Sequence, residues 1–410
     1  MKMPIPTVFT LLFGMVFLLP AFTSSHLINS VENRDSLNKS GLEFYVYSSN
    51  INTKYSELPS AIFKDKLILV SSKKIGGLGN GIDTHTNEPF TELFCLDLDE
   101  YGTAKNPLLF SRIINTRNNE GHVAFSPDET TIYFTRSLRE NSQNYQLYKA
   151  ELEPKSDGNW MNEEQLLVSD IDYSIENPHM SADGKHLYFA SNMPGTFGGF
   201  DLYVADVSQD GSLHNVTNLG PKVNTKYDDE CPYVSKDGKK LFFSSQGHKA
   251  IGGFDIFVSS ISNKQYDTPR NLGSEINSKF DEVSFLFTDS NKGFFSSNKS
   301  NNGGSFDMYR FKANVIYQQL QGIVVNEDNQ PLPNTVVLLL NEQGEEIARQ
   351  TTGIDAHYSF KVRAYENYAI KALRKGFKNF ESHFSSHKTD VIIYKEVLKL
   401  SPKVSTITNE

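Results

Sequence analysis

Five glutamates recur inside one short segment that is repeated along the chain: Glu57, Glu120, Glu176, Glu230 and Glu282. The segments read 51–57 (INTKYSE), 114–120 (INTRNNE), 171–176 (IDYSIE), 223–230 (VNTKYDDE) and 276–282 (INSKFDE). Carboxylates repeated at such intervals and gathered by a fold can form a ring at a channel mouth that holds a cation or a basic partner segment. The same repetition also suits a structural role, each glutamate making one hydrogen bond to the neighbouring unit. The aromatic residues Tyr55, Tyr227 and Phe280 lie in these segments, beside the basic residues Lys54, Arg117, Lys226 and Lys279. A second group, Asp83, His85 and Phe90, lies in the long loop 73–91 and offers contacts to a partner. His85 reads as a loop histidine rather than a metal ligand. No G-x-S-x-G elbow, H-E-x-x-H pair, C-x-x-C pair or phosphate-cradling glycine loop occurs, so no catalytic residue, metal site or cofactor is nominated.

The elements that must position these residues are repeats. An apolar residue followed by Phe or Tyr recurs as Leu93-Phe94, Leu147-Tyr148, Leu202-Tyr203, Ile256-Phe257 and Met308-Tyr309, at spacings of 54, 55, 54 and 52 residues. Before each copy stands a short β-branched and aromatic run, at 67–72, 132–137, 187–191, 241–245 and 293–297. Turn chemistry precedes three of these runs, as Ser126-Pro127-Asp128, Ser181-Ala182-Asp183-Gly184 and Ser235-Lys236-Asp237-Gly238. Glycine pairs at 76–77, 198–199, 252–253 and 303–304 follow them. Each unit therefore reads as an antiparallel meander. The polar residues Asp201, Asp255 and Asp307 at one strand position are expected to anchor turns by accepting backbone N–H bonds. The strand 42–48 (LEFYVYS) has no unit of its own and the fifth unit lacks an outer strand, so the spacing predicts a ring closed by joining the chain ends.

The runs FSPDETTIYFTRS (125–137), MSADGKHLYFASN (180–192) with FGGFDLYV (197–204), and VSKDGKKLFFSSQ (234–246) with IGGFDIFV (251–258) resemble the WD40-like repeats of TolB-type propellers, often called PD40 repeats. The resemblance implies an all-β chain with a five-bladed β-propeller over 41–312, closed by the N-terminal strand. Over 316–401, short alternating runs at 320–325, 334–340, 357–362, 368–373 and 391–400 argue for a small antiparallel sandwich. The order GIVVNEDNQPLPNTVVLLL, TTGIDAHYSFKV, YAIKALRKGFKNF resembles the carboxypeptidase regulatory-like domain, a transthyretin-like β-sandwich that is a non-catalytic accessory module. Propeller followed by sandwich is similar to the central part of peptidoglycan-tethered, OmpA-family envelope proteins associated with type IX secretion. Those proteins also carry a helical repeat region and an OmpA-like domain, for which this chain shows no counterpart.

Lys2, an apolar run over 8–19 and small or polar residues to position 25 have the layout of a signal peptide, residues 1–25, too short to span a bilayer. Export to the periplasm or the outer-membrane surface is expected, with no transmembrane span in the mature chain. Cys95 and Cys231 fall in non-adjacent units, which argues against a disulfide. A net charge of −9, with Lys and Arg scattered, argues against a nucleic-acid partner. Trp160, in the insertion 154–164, is read either as a partner anchor or as cover for a blade edge. The expectation is a non-enzymatic binding scaffold for envelope or outer-membrane proteins, working through the propeller face that carries Tyr55, Tyr227, Phe280 and the 73–91 loop. A glycan-binding protein, for which Tyr227, Asp228 and Asp229 are the hint, is the alternative; a propeller-type lyase or hydrolase is the third.

Overall fold

The computed structural model describes residues 38–73, 81–166, 172–301, 303–387 and 391–403; the expected signal peptide and the glycine pair 76–77 lie outside them. The repeats form five antiparallel sheets. In the first four, consecutive strands run outward from the strand that follows the connector, as in Glu57–Phe63, Lys66–Ser71, Glu92–Leu98 and Ala104–Leu109. The innermost strands Glu57–Phe63, Asn119–Phe125, Ile175–Met180, Asp229–Val234 and Glu282–Phe287 each touch the next, and the last touches the first. This ring of radiating meanders is a propeller.

The fifth sheet, Glu282–Phe287, Lys292–Ser297 and Asp307–Val315, takes Leu42–Ser48 as its outer strand. The register runs from Leu42 opposite Val315 to Ser48 opposite Tyr309, so the two ends of the ring are joined by a seven-residue antiparallel pair. The turns follow from the sequence: Ser126, Ser181 and Ser235 each donate their hydroxyl to the Asp two residues on, at 2.5, 2.6 and 2.6 Å. Gly184 and Gly238 take φ of +70° and +69° there, a conformation that costs glycine nothing. Apolar residues from adjacent sheets meet between the blades, and Phe63, Phe125, Phe110 and Trp160 form one aromatic cluster with centroids 4.6 to 6.1 Å apart.

Trp160 corrects the loop assignment. It opens the outer strand Trp160–Gln165 and is 2 % exposed, because its indole fills the wedge between the first and second sheets and so cannot anchor a partner. The outer strand of the fourth sheet is broken into Gln265–Tyr266 and Arg270–Asn271, which leaves a hollow of about 900 Å³ between the third and fourth sheets.

Beyond the ring, Asp307–Val315 is followed after Ile316 alone by Tyr317–Asn326. Two further sheets, one of three strands and one of four, share a core of Leu320, Val324, Tyr358, Phe360 and Leu398 against Val337, Leu339, Ile370 and Phe384. Two edge strands, Glu346–Thr351 and Phe380–Ser385, escape the sequence reading because their residues are mostly polar and half-exposed. Tyr317–Asn326 pairs in parallel with Ile393–Leu400, and a Cβ at Gly322 would lie 1.7 Å from the Glu396 carbonyl oxygen. This unit is tied to the ring. Arg270 donates to the Tyr365 carbonyl at 3.2 Å and lies over the Tyr365 ring, Lys240 pairs with Glu366 at 3.3 Å, and Ile316 N–H donates to the Gly41 carbonyl at 2.9 Å. No helix among the described residues is long and apolar enough to cross a membrane.

Candidate functional site

The connectors are built for backbone contact. Asn52, Asn115, Asn224 and Asn277 each accept one backbone N–H from the third strand of the preceding blade and donate back to the same residue's carbonyl. A residue at the entry to each innermost strand then makes a second bond to that blade. Ser56, Asn119, Ser174, Asp228 and Asp281 accept the N–H of Phe306, Thr91, Tyr145, Phe200 and Phe254, at 2.8 to 3.1 Å. This is the bond made once per blade, and its acceptor is not the glutamate. The glycine pairs are explained by the same contact: Cβ atoms on Gly198 and Gly252 would lie 2.1 Å from Tyr227 O and 2.4 Å from Ser278 O. Asp201 and Asp255 accept backbone N–H bonds from the turns before them, Phe197 and Gly198 in one case and Ile251 and Gly252 in the other.

The glutamates separate into two sets, which corrects the expected ring of five. At the position paired with Ser71, Arg136 or Ser297 of the second strand, Glu57, Glu120 or Glu282 turns back and accepts the N–H and hydroxyl of Thr53, Thr116 or Ser278, at 2.6 to 3.2 Å. Glu120 also meets Arg136 at 3.3 Å. Burial pushes Glu57 and Glu120 up to about 7. In the fourth connector an extra residue gives this position to Asp229, which accepts the Thr225 N–H; in the third the position is Ile175. Glu230 and Glu176 therefore stand one residue further on, and because strand side chains alternate between faces they point into the channel.

The residues that follow these positions, Leu58, Gly121, Glu176, Glu230 and Val283, line a cavity of about 350 Å³ on the ring axis. The acids face it from the third and fourth sheets, and the apolar residues from the fifth and first. Phe254, Phe306 and Tyr145 complete its walls, and Gly121 is required because a Cβ there would meet Thr135 Oγ1 at 2.2 Å. Among the described residues no Lys or Arg lines it. Ser174 donates to Glu176 at 2.8 Å. Burial raises both carboxyls, and the charge of Glu176 raises Glu230 further.

The residues one step further on close the floor. The innermost strands bulge here, and Asn177, Cys231 and Ser284 take φ of +52°, +51° and +57°. His122, from the second sheet, completes a circuit that crosses four blades. Cys231 N–H donates to Asn177 Oδ1 at 3.4 Å, Asn177 Nδ2 donates to His122 Nδ1 at 3.0 Å, and His122 Nε2 donates to Ser284 Oγ at 2.9 Å. Ser284 Oγ lies 3.8 Å from Cys231 Sγ. The backbone N–H of Cys231 fixes the Asn177 amide, the amide fixes the imidazole tautomer, and that tautomer presents N–H rather than a lone pair to Ser284. His122 therefore cannot take a proton from the serine. Burial pushes the Cys231 thiol up to about 12 and His122 down to about 4, so neither a thiolate nor an imidazolium is available near neutrality. The circuit rigidifies the floor and supplies no nucleophile. Among the described residues no three metal-ligating groups converge.

The residues nominated for a partner are only partly brought together. Asp83 is buried, accepting the Ser142 hydroxyl and the His85 N–H at 2.9 Å each, and Phe90 is buried under the Arg139 guanidinium; neither can meet a partner. His85 is exposed. Tyr55, Tyr227 and Phe280 stand at three consecutive blade junctions, each beneath the ammonium of the preceding lysine at 5.0 to 5.1 Å. Tyr227 is 47 % exposed, Tyr55 and Phe280 half-buried. Exposed Phe197 and Ile251, which sequence reasoning missed, adjoin Tyr227 and Phe280 through Gly198 and Gly252. Of the glycan hint, Tyr227 is exposed, Asp228 is half-buried and accepts the Phe200 N–H, and Asp229 is buried.

A pH test follows for Glu230. Its folded-state pKa lies above the unfolded value, so the protonated form stabilises the fold below about pH 4.5 and that stability is lost as pH rises through the raised value. Glu230→Gln is expected to unfold at a higher temperature than wild type at about pH 8, by several degrees, and at the same temperature at about pH 5. His122 and His179, both pushed down to about 4 by burial, act in the opposite sense but cancel in the comparison. Equal melting at both pH values would show Glu230 to be well solvated.

No protein-family model matches the chain, and no curated protein matches it. Solved structures similar in fold include a putative TolB from Agrobacterium tumefaciens (15 % identity over 67 % of this chain and 98 % of that one, TM-score 0.33). A β-xylosidase, RS223, is 15 % identical over 70 % of this chain and 98 % of its own, with a TM-score of 0.41. Catechol 1,2-dioxygenase from Acinetobacter sp. ADP1 is 13 % identical over 23 % of this chain, which spans 55 % of the dioxygenase, with a TM-score of 0.18. Likenesses with TM-scores this low carry no argument, and the propeller assignment rests on the ring of innermost strands and its joined ends.

Proposed function

We propose that this chain is a non-enzymatic binding scaffold exported to the bacterial envelope, a five-bladed propeller followed by a transthyretin-like, carboxypeptidase regulatory-like sandwich. In this reading it holds an outer-membrane or secretion-associated protein on the connector face of the propeller. The observation that carries the reading is the rim of that face. Phe197, Tyr227, Ile251 and Phe280 form an apolar, aromatic margin over two adjoining blade junctions, mounted on backbone fixed by Gly198 and Gly252. Exposed aromatics on a rigid base are what a protein partner buries at small entropic cost. The groups below the rim that chemistry would need are committed to the floor circuit, which favours binding over catalysis.

The test is purification of the chain from its own envelope after mild crosslinking, beside the double variant Phe197→Ala, Tyr227→Ala. Both side chains are about half exposed, so the variant should keep its stability within about 0.5 kcal/mol and lose the partners that wild type retains. Retention on an envelope-glycan column with no co-purifying protein would replace this reading by the glycan-binding one.

A further inference from the structure

The axial cavity is more specific than a general acidic funnel. Glu176 and Glu230 face inward from adjacent sheets, Asp281 reaches it with both carboxylate oxygens already bonded to Phe254 N–H and Asn298 Nδ2, and Leu58, Val70, Val283 and Phe306 form an apolar wall. Glu230 is half-buried and has no side-chain hydrogen-bond or ion-pair partner among the described residues, and its carboxyl is raised well above the usual range by burial and by the charge of Glu176. Two carboxylates side by side and partly shielded from water are costly when both are ionised, and either a proton or a cation relieves that cost. No cationic group among the described residues lies in the cavity to do so. His122, in the floor, is held neutral by its two hydrogen bonds, and the rim lysines Lys54, Lys226 and Lys279 turn onto the aromatic rings beside them. The remaining titratable groups at Glu230, namely Asp228, Asp229, Asp281, Tyr145 and Cys231, are acidic or neutral. With no third ligand converging on the two glutamates, a metal ion is a poor fit. A cation on an apolar stem matches both sides.

We propose that the axial cavity is a receptor for a primary alkylammonium group, the end of a lysine side chain carried by the protein partner, with the ammonium between Glu176 and Glu230 and the methylenes against Leu58, Val283 and Phe306. Phe254 and Tyr145, which also line the cavity, add ring faces that favour a cation. The inference rests on the scaffold reading in one respect, that a partner supplies the lysine; the site itself can be tested without one.

The experiment titrates the full chain with n-butylammonium at about pH 8 and about pH 5.5, with n-butanol and cellobiose as neutral probes, following chemical-shift changes of methyl groups on Leu58 and Val283. Butylammonium is expected to bind at the higher pH and n-butanol far more weakly. Glu230→Gln should weaken the amine by roughly tenfold or more, as loss of a buried charge partner does. Acidification should weaken it similarly as the two carboxyls take up protons, whereas Tyr45→Ala, on the exposed face of the outer strand Leu42–Ser48, should change it little. Indifference of the cavity to butylammonium, or equal binding of butylammonium and n-butanol, overturns the proposal, as does preference for cellobiose. The two readings separate cleanly. Partners retained from the envelope by wild type and by Glu230→Gln alike, with no amine binding, leave the scaffold standing and the receptor disproved; amine binding with no retained partner leaves the receptor as a small-amine site and removes the scaffold.

Discussion

Replacement of Phe44 by alanine is expected to destabilise the chain by about 3–5 kcal/mol, the range for removing a fully packed aromatic ring. Phe44 lies in Leu42–Ser48, 3 % exposed, with its ring against Phe311 at 5.6 Å and Phe285 at 6.3 Å. Those two rings stack on each other at 4.6 Å, so the cavity left by Phe44 opens beside a stack that cannot relax without moving the fifth sheet. The site matters beyond its area because this strand joins the ends of the ring. It is also clasped at Gly41, whose carbonyl accepts the Ile316 N–H. Loosening it frees the edge of Asp307–Val315, an unpaired edge of the kind that recruits other chains. Urea denaturation gives the free energy, and light scattering at the midpoint should show aggregation that wild type lacks. Tyr45→Ala, one residue away on the exposed face, is the control and should cost well under 1 kcal/mol. A Phe44 variant no less stable than the Tyr45 variant would mean that the ring does not depend on this closure.

The blades were legible because backbone contact dictates their residues. Ile-Asn-Thr recurs since the Ile fills the core and the Asn replaces a strand partner for the previous blade; Gly-Gly-Phe-Asp recurs since a Cβ at the first glycine would strike the next connector. The joined ends were legible by subtraction, one strand in excess at the start and one missing at the finish. The cavity was not. The connector glutamates look equivalent when aligned on Ile-Asn-Thr, and only the extra acid in Asp228-Asp229-Glu230 and the apolar Ile175 before Glu176 betray that two of them are one step out of register. The floor circuit had a weaker signal: proline stands inside three innermost strands, as Pro59, Pro178 and Pro232, and proline within a strand marks a bulge. Nothing in the residue types of Cys231, Ser284 and His122 says that they meet, since they lie on three different sheets. Asp83 and Phe90 misled for the opposite reason. Polar or aromatic residues in long insertions suggest a partner, but in this ring the insertions fold back and cover the blades.

Replacement of Asn277 by alanine is expected to cost roughly 2–6 kcal/mol, since it strands two buried backbone groups at about 1–3 kcal/mol each. Asn277, 1 % exposed, accepts the Ile256 N–H at 2.8 Å and donates to the Ile256 carbonyl at 2.9 Å, with a further bond to Asn271 Oδ1. It thus stands in for a strand neighbour that the third strand of the fourth sheet lacks at that height. Asn277→Asp keeps the acceptor, loses the donor and sets a carboxylate against a carbonyl, so it should be no better than alanine above about pH 6 and recover partly on acidification. Asn115 makes the same pair of bonds to Leu93 at a junction not adjacent to this one. The two asparagines share no hydrogen-bond partner, so Asn115→Ala and Asn277→Ala should add within about 0.5 kcal/mol if the ring unfolds as one body. A second, separate transition in the double variant would show instead that the two junctions divide the ring into parts able to unfold independently. In that case the closing strand, which restrains the two ends alone, would not be enough to make the propeller cooperative.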